Sequence, residues 1–93
     1  MPRNLTAQVS QFDHTFDFVV LNKGEKDQVK LNGILLIHNN NKFICKVKVT
    51  KVLRDSCVCD ILPATRPRFP QGHPKSGQFL TPMIGDEAIV PGI

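Results

Sequence analysis

Alternating apolar and polar residues predict a β-hairpin over residues 43–62. One face of its first arm holds Phe43, Cys45, Val47 and Val49, and the other holds Ile44, Lys46, Lys48 and Thr50. A period of two residues is typical of a strand with one buried face. The next apolar candidate for that face is Val52, three residues after Val49, which predicts a β-bulge near Thr50 and Lys51. We therefore expect the strand to bend, as strands of small closed barrels do.

The rest of the chain contains four further strand candidates separated by turn residues. These candidates are residues 5–11, 16–22, 34–38 and 85–91, the last including a turn before a short closing strand. The first has Leu5, Ala7 and Val9 on one face, and the third is apolar on both faces, which predicts a central position. Asparagine and glycine tolerate positive φ, so residues 32–33 and 39–41 are predicted turns. A polar turn with one helical turn is expected over residues 23–27, and a connection over residues 12–15.

Length and composition agree with one small domain. The chain has 93 residues, of which 41% are hydrophobic and 22% charged. Six predicted strands, hairpin links and no long helix indicate an all-β fold. We expect a six-stranded barrel of antiparallel hairpins spanning residues 1–93, with a long Pro/Gly-rich loop before the last strand, as a module of a longer protein.

The predicted loop, residues 63–85, is a better candidate for function than the hairpin that precedes it. It contains five of the seven prolines and three of the six glycines, which disfavour regular structure. Its apolar residues are Phe69, Phe79, Leu80 and Met83, and its arginines are Arg66 and Arg68. The apolar residues are expected either to fold back over one end of the barrel or to present a contact to another chain. Loops held by a rigid scaffold commonly carry function.

Basic residues follow the outer face of the hairpin's first arm. They are Lys42, Lys46 and Lys48, with Lys51 and Arg54 at its far end. With the loop arginines they favour an alternative function, a KOW- or OB-like barrel that binds nucleic acid. Against this function, Ile44 interrupts this lysine stripe, and the stripe contains no interleaved aromatic residues on which bases could stack. Lysines are also common on exposed strand edges, where they prevent strand-to-strand aggregation. The net charge of +4 is modest.

The three cysteines are predicted to be small buried hydrophobic residues. Cys57 and Cys59 share one strand face, with Cα atoms about 6.5 Å apart, the upper limit for a disulfide. If Cys59 lies opposite Val49, Cys45 is roughly 13 Å away, too far to share a metal ion. A metal site that recruits His38 or His73, and an intermolecular disulfide, remain alternatives.

No catalytic arrangement is visible in the sequence. His14, His38 and His73 are isolated from one another, and the carboxylates occur mostly at predicted turns, where capping explains them. We therefore expect no enzyme activity, no catalytic, metal-binding or cofactor-binding residues, and no cofactor. No apolar run approaches the roughly 18–20 residues of a membrane-spanning helix, so no membrane span is expected.

The order of strand and turn signals resembles a known barrel module. The segments that carry the resemblance are residues 18–22, 24–29, 33, 43–52, 55–61 and 85–90. In this order they are similar to the C-terminal barrel of flagellar assembly protein T and to related barrels of uncharacterised bacterial envelope proteins. The chain departs from them at Cys45 and Cys59, where such modules usually carry Gly and Ala, and by its long loop, which the simplest members lack.

The resemblance implies a non-catalytic binding or assembly module in the bacterial periplasm or envelope, and it implies no ligand. The expected partner is a protein or another domain of the parent chain, with nucleic acid as the alternative. Three unpaired thiols favour the cytoplasm as the alternative compartment. The candidate partner-binding residues are Arg66, Arg68, Phe69, Phe79, Leu80, Met83, Lys46 and Lys48.

Overall fold

The predicted hairpin forms the longest part of a closed antiparallel sheet in the computed structural model, which describes residues 1–91. The strands are β1 (Thr6–Asp13), β2 (Phe18–Leu21), β3 (Ile34–Asn39), β4 (Lys42–Val52), β5 (Cys57–Ile61) and β6 (Glu87–Ile89). They close into a barrel in the order β1-β2-β5-β4-β3-β6. Two 3-10 helices, Glu25–Asp27 and Pro63–Thr65, lie in the connections. The prediction of a small six-stranded all-β barrel is therefore confirmed, and residues 92–93 of the predicted domain lie outside the described residues.

Strand β4 contains two bulges, of which the sequence predicted one. Its register with β5 shifts between Val49 and Lys51, as expected. Its register with β3 also shifts, because Ile37 pairs with Cys45 whereas the next residue of β3 pairs with Phe43. Ile44 is left without a cross-strand partner and is buried beside Cys45. The prediction that Phe43 shares the buried face is therefore wrong: this bulge reverses the alternation, and Phe43 is 36% exposed.

The first hairpin differs from its predicted boundaries. β1 continues to Asp13, whose side-chain Oδ1 accepts hydrogen bonds from the backbone N–H groups of Thr15 and Phe16, each at 2.9 Å. This cap holds a turn that places Asp17 at φ 53°. The turn therefore includes Phe16, which was expected in the second strand, and β2 starts only at Phe18. Turns form at residues 31–32 and 40–41, where Asn32, Asn40 and Asn41 have positive φ, whereas Asn39, expected in the second turn, still belongs to β3.

The core fills the barrel and is closed at both ends by side chains from connections. Its fully buried members include Val9, Val19, Leu21, Leu35, Ile37, Val47 and Val49, together with all three cysteines. Val29, from the connection between β2 and β3, joins the core at one end. Leu80, from the long connection before β6, joins it at the opposite end. We call these the base end (residues 22–33 and 53–56) and the loop end (residues 14–17, 39–41 and 62–86).

The base end is held together by backbone hydrogen bonds between its two connections. The N–H of Glu25 donates to the carbonyl of Leu53 at 2.7 Å, and the N–H of Lys26 donates to that of Arg54 at 3.2 Å. The carboxylate of Asp27 accepts a hydrogen bond from the N–H of Gly24 at 3.1 Å. These contacts tie the 3-10 helix to the β4–β5 turn.

Closure of the barrel changes the interpretation of the lysine stripe. β4 pairs with β3 on one side and β5 on the other, so Lys46 and Lys48 do not lie on an edge strand. The expectation that they protect an exposed edge is wrong, and they instead form part of the solvent-facing outer wall. Closure also accounts for the predicted central position of β3, because every strand of the closed barrel has two neighbours.

Candidate functional site

The connection between β5 and β6 folds across the loop end of the barrel. It begins against β4, where the N–H of Leu62 donates to the carbonyl of Lys46 at 2.9 Å. Arg68 and Phe79 then pair as an isolated antiparallel bridge, which makes residues 66–80 a short hairpin. Leu80 at its end is only 5% exposed and belongs to the core, and Phe69 packs against the core. The expectation that the apolar loop residues fold back over one end of the barrel is therefore confirmed for Leu80 and Phe69.

Arg66 anchors this hairpin to the barrel. Its side chain is 6% exposed, and its Nη1 lies 3.5 Å from Oδ2 of Asp17 in the β1–β2 turn. Its Nε donates to the carbonyl of Leu80 at 3.3 Å, and its guanidinium carbon lies 4.8 Å from the ring centroid of Phe79. Arg66 therefore holds parts of this chain together and presents little surface to a partner. The same holds for Leu80.

Arg68 covers the same aromatic ring and remains exposed. Its guanidinium carbon lies 4.2 Å from the centroid of Phe79, and its Nη1 donates to the carbonyl of Gly77 at 2.9 Å. Phe79 is thus contacted by two guanidinium groups of the chain itself.

A second aromatic and basic cluster surrounds Phe69. The ring of His73 stacks on it with centroids 4.4 Å apart and planes 18° from parallel. The Nζ atoms of Lys42 and Lys75 each lie 5.8 Å from its centroid. The sequence placed Lys42 in the basic row of β4 but did not indicate that His73 or Lys75 would bind a partner. The loop hairpin brings them together, and the only local signal was the mixture of basic and aromatic residues in residues 66–79.

A groove of about 360 Å³ runs between the loop hairpin and the β3–β4 turn. Its apolar surface comes from Ile44, Phe69, Leu80 and Met83, and its cations are Lys42 and Lys75. We call it the loop-end groove. Met83 is 65% exposed beside it, and the adjacent Ile84 is 75% exposed. The groove thus combines an apolar surface with two lysines.

Asp86 connects the two segments that border the groove. It is the buried charged residue of the described chain, and its Oδ1 accepts a 2.6 Å hydrogen bond from the side-chain amide of Asn39. Its Oδ2 accepts a 2.8 Å bond from the N–H of Met83, which caps the turn before β6. These bonds fix the β3–β4 turn against that turn. A polar cleft of about 560 Å³ lies beside the contact between Asn39 and Asp86, between residues 38–41 and 84–87.

The remaining predicted partner-binding residues are not in this groove. Lys46 is half-buried and Lys48 exposed on the outer wall of β4, where Lys48 lies opposite Asp60 of β5. The structure therefore brings Phe69, Leu80 and Met83 together, places Arg66, Arg68 and Phe79 beside them in the loop hairpin, and leaves the two lysines on a separate face.

The cysteines are buried and free. Cys59 lies opposite Val49, as predicted, and its Sγ is 3.7 Å from that of Cys57. The hydrogen bond between the two thiols, together with burial, raises the pKa of Cys59, and the same hydrogen bond lowers the pKa of Cys57. Burial also raises the pKa of Cys45 to about 12. All three side chains belong to the core, and the raised pKa values favour the neutral thiols of Cys45 and Cys59.

The raised pKa of Cys45 predicts a loss of stability in alkali. In the unfolded chain this thiol ionises near pH 9, whereas in the folded protein it ionises near pH 12. Its contribution to the free energy of unfolding is complete below pH 9 and is lost as pH rises toward 12. Urea unfolding followed by circular dichroism should therefore show a steeper alkaline loss for the native protein than for Cys45→Ala. Equal slopes for the two proteins would contradict this role of burial.

No candidate metal centre is found within residues 1–91. Groups of three or more His, Cys, Asp or Glu side chains that could hold a metal ion do not occur there. His14 packs edge-on against Phe12, with centroids 4.6 Å apart. The Nε2 of His38 lies 3.7 Å from the carboxylate of Glu87, its neighbour on β6.

Fold and site together define a small closed β-barrel with one end covered by its longest connection. Comparisons of the chain with protein-family models, with curated proteins and with solved structures found no match. Within residues 1–91, no helix has the length and apolar character needed to cross a bilayer.

Proposed function

We propose that this barrel is a non-catalytic binding or assembly module whose loop-end groove receives an extended segment of a protein partner. The observation that carries the proposal is the combination of an apolar groove with Lys42 and Lys75. Neither lysine forms a salt bridge within the described chain. The complementary partner segment carries an aliphatic or aromatic side chain next to carboxylates.

The apolar part of the groove supports binding because it combines a fixed surface with exposed residues. Phe69 and Leu80 are held by the loop hairpin and the core, so they need little ordering when a partner binds. Met83 is largely exposed at the groove and gains most from being covered. Asp86 also borders the groove, but its carboxylate is already bonded to Asn39 and Met83.

The alternative of a nucleic-acid-binding barrel has less support from the site. Single-stranded nucleic acid is usually bound by stacking bases on open aromatic faces. Here the ring of Phe69 is stacked with His73, and the ring of Phe79 is covered by two arginines. The same contacts leave the apolar groove open, which favours a protein segment.

The bacterial envelope is the compartment we propose, and the resemblance to the envelope barrels is its support. The three free thiols are compatible with an oxidising compartment because all are fully buried. A reporter enzyme that is active only outside the cytoplasm, fused to the parent protein, tests this placement, and an inactive fusion would contradict it.

Selection from a display library of random peptides tests the groove. We expect enriched peptides to combine acidic residues with a large apolar residue. Lys42→Glu and Lys75→Glu should each weaken binding of the selected peptide about tenfold, because the attraction to its carboxylates becomes repulsion. A tenfold loss corresponds to about 1.4 kcal/mol of binding free energy. Met83→Asp should weaken it at least as much. Fluorescence anisotropy with a labelled peptide gives the dissociation constants.

The matched control is Lys51→Glu, which makes the same charge change at the far end of β4. It should alter peptide affinity by less than about twofold, because salt screens charges beyond roughly 10 Å. Equal losses for Lys51→Glu and Lys42→Glu would contradict specific binding in the groove. A wild-type protein that binds an oligonucleotide with steep salt dependence, and selects no peptides, would favour the nucleic-acid alternative.

A further inference from the structure

The base end of the barrel presents two large apolar side chains to solvent. Leu31, which follows Val29 in the chain, is 58% exposed, and Leu53, at the end of β4, is 44% exposed. They belong to two connections whose backbones are joined by the hydrogen bonds from Glu25 to Leu53 and from Lys26 to Arg54. The N–H of Asn32, next to Leu31, also donates to the carbonyl of Val49 in β4 at 2.8 Å. Both leucines therefore belong to segments that are held at the base end of the barrel.

Basic residues are numerous at the base end. The base end and the adjoining end of β4 contain Lys23, Lys26, Lys30, Lys51 and Arg54, against the acidic residues Glu25, Asp27 and Asp55. Lys26 pairs with Asp55 at 3.3 Å, and Asp27 caps the N–H of Gly24. The other four cations form no salt bridge with any described residue. Lys30, Lys51 and Arg54 are exposed beside the two leucines in the chain.

We propose that the base end is a docking surface for an anionic lipid bilayer. Cations next to an anionic bilayer attract its headgroups, and apolar side chains among them enter the boundary with the acyl chains. Leu31 and Leu53 favour a bilayer over a nucleic acid, because a phosphate backbone offers no apolar phase to cover them. All six phenylalanines lie outside residues 22–33 and 50–57, so these connections hold no aromatic ring on which a base can stack.

This surface is independent of the loop-end groove. The two lie at opposite ends of the barrel, since Val29 closes one end and Leu80 the other. A barrel resting on a bilayer by its base end therefore presents its groove away from the lipid. The inference stands on different residues from the proposed protein-binding function and is tested separately.

Flotation with lipid vesicles tests the proposal. The protein should float with vesicles of equimolar phosphatidylglycerol and phosphatidylcholine, and should remain in solution with vesicles of phosphatidylcholine alone. Each basic residue near an anionic surface contributes about fivefold to the partition coefficient. Lys30→Glu and Arg54→Glu should each lower it about tenfold or more. The paired change Leu31→Asn and Leu53→Asn, which preserves charge, should lower it about tenfold.

Matched variants at the other end serve as controls. Lys42→Glu and Lys75→Glu make the same charge change at the loop end and should alter partition by less than about twofold. Circular dichroism checks that every variant is folded, and the substituted side chains are exposed or half-exposed. The proposal is overturned if the wild type does not float with the anionic vesicles, if base-end and loop-end variants lose partition equally, or if the leucine variant binds fully. Oligonucleotide binding without vesicle binding would also overturn it.

Discussion

Replacement of Gly24 by alanine is expected to destabilise the barrel by about 3 kcal/mol or more, toward the upper end of overpacking effects. A Cβ atom at this position would approach backbone atoms of the β4–β5 turn, including the carbonyl of Leu53, and would lie 2.6 Å from the backbone N and O of Ser56. Backbone atoms cannot move aside as the end of a flexible side chain can. The φ of −144° is open to any residue, so the effect is steric. Urea unfolding followed by circular dichroism measures the change.

Gly72→Ala is the control for this prediction. A Cβ atom there meets no atom within 4 Å, although φ is +91°. The left-handed conformation costs an L-residue roughly 1–2 kcal/mol, so the expected loss is smaller. If Gly24→Ala unfolds at the same urea concentration as the native protein, the 3-10 helix does not pack against the β4–β5 turn as described.

Replacement of Leu80 by alanine is expected to lower the free energy of unfolding by about 2–5 kcal/mol. Leu80 is 5% exposed and closes the loop end of the core. Its removal leaves a cavity that the proline-rich connection can fill only in part. For a domain of this size, each kcal/mol shifts the melting temperature by about 4–8 °C, so a fall of roughly 10 °C or more is expected.

Met83→Ala is the matched control at the loop end. Met83 lies in the same connection but is 65% exposed, so its replacement should change the free energy of unfolding by less than about 0.5 kcal/mol. If Leu80→Ala were as mild as Met83→Ala, the connection would not be part of the core. The groove would then lack a fixed wall.

The barrel could be predicted because its main determinants are local. Alternation along β4 indicated a half-buried strand, and the three-residue step from Val49 to Val52 indicated the bulge that the structure contains. The second bulge was missed because Phe43 and Ile44 are both large and apolar, so either could continue the alternation. Only pairing with β3 decides that Ile44 is buried.

The candidate site was less predictable because long-range contacts assemble it. The sequence selected Phe69, Leu80 and Met83 from the loop, and the structure places all three at the groove. Lys42 and Lys75 are separated by most of the hairpin and the loop, and only the fold of residues 66–80 brings both to Phe69. The burial of Arg66 likewise depends on Asp17, a residue from another hairpin.

The proposed protein-binding function of the loop-end groove is tested most directly by nuclear magnetic resonance. Uniformly ¹⁵N-labelled protein is titrated with a peptide selected from the display library. The proposal predicts that the largest shift changes occur at the amides of Ile44, Phe69 and Met83, and that Val20 and Val58 on the outer wall of β2 and β5 stay unchanged. Shift changes confined to that outer wall, or to the base end, would contradict it.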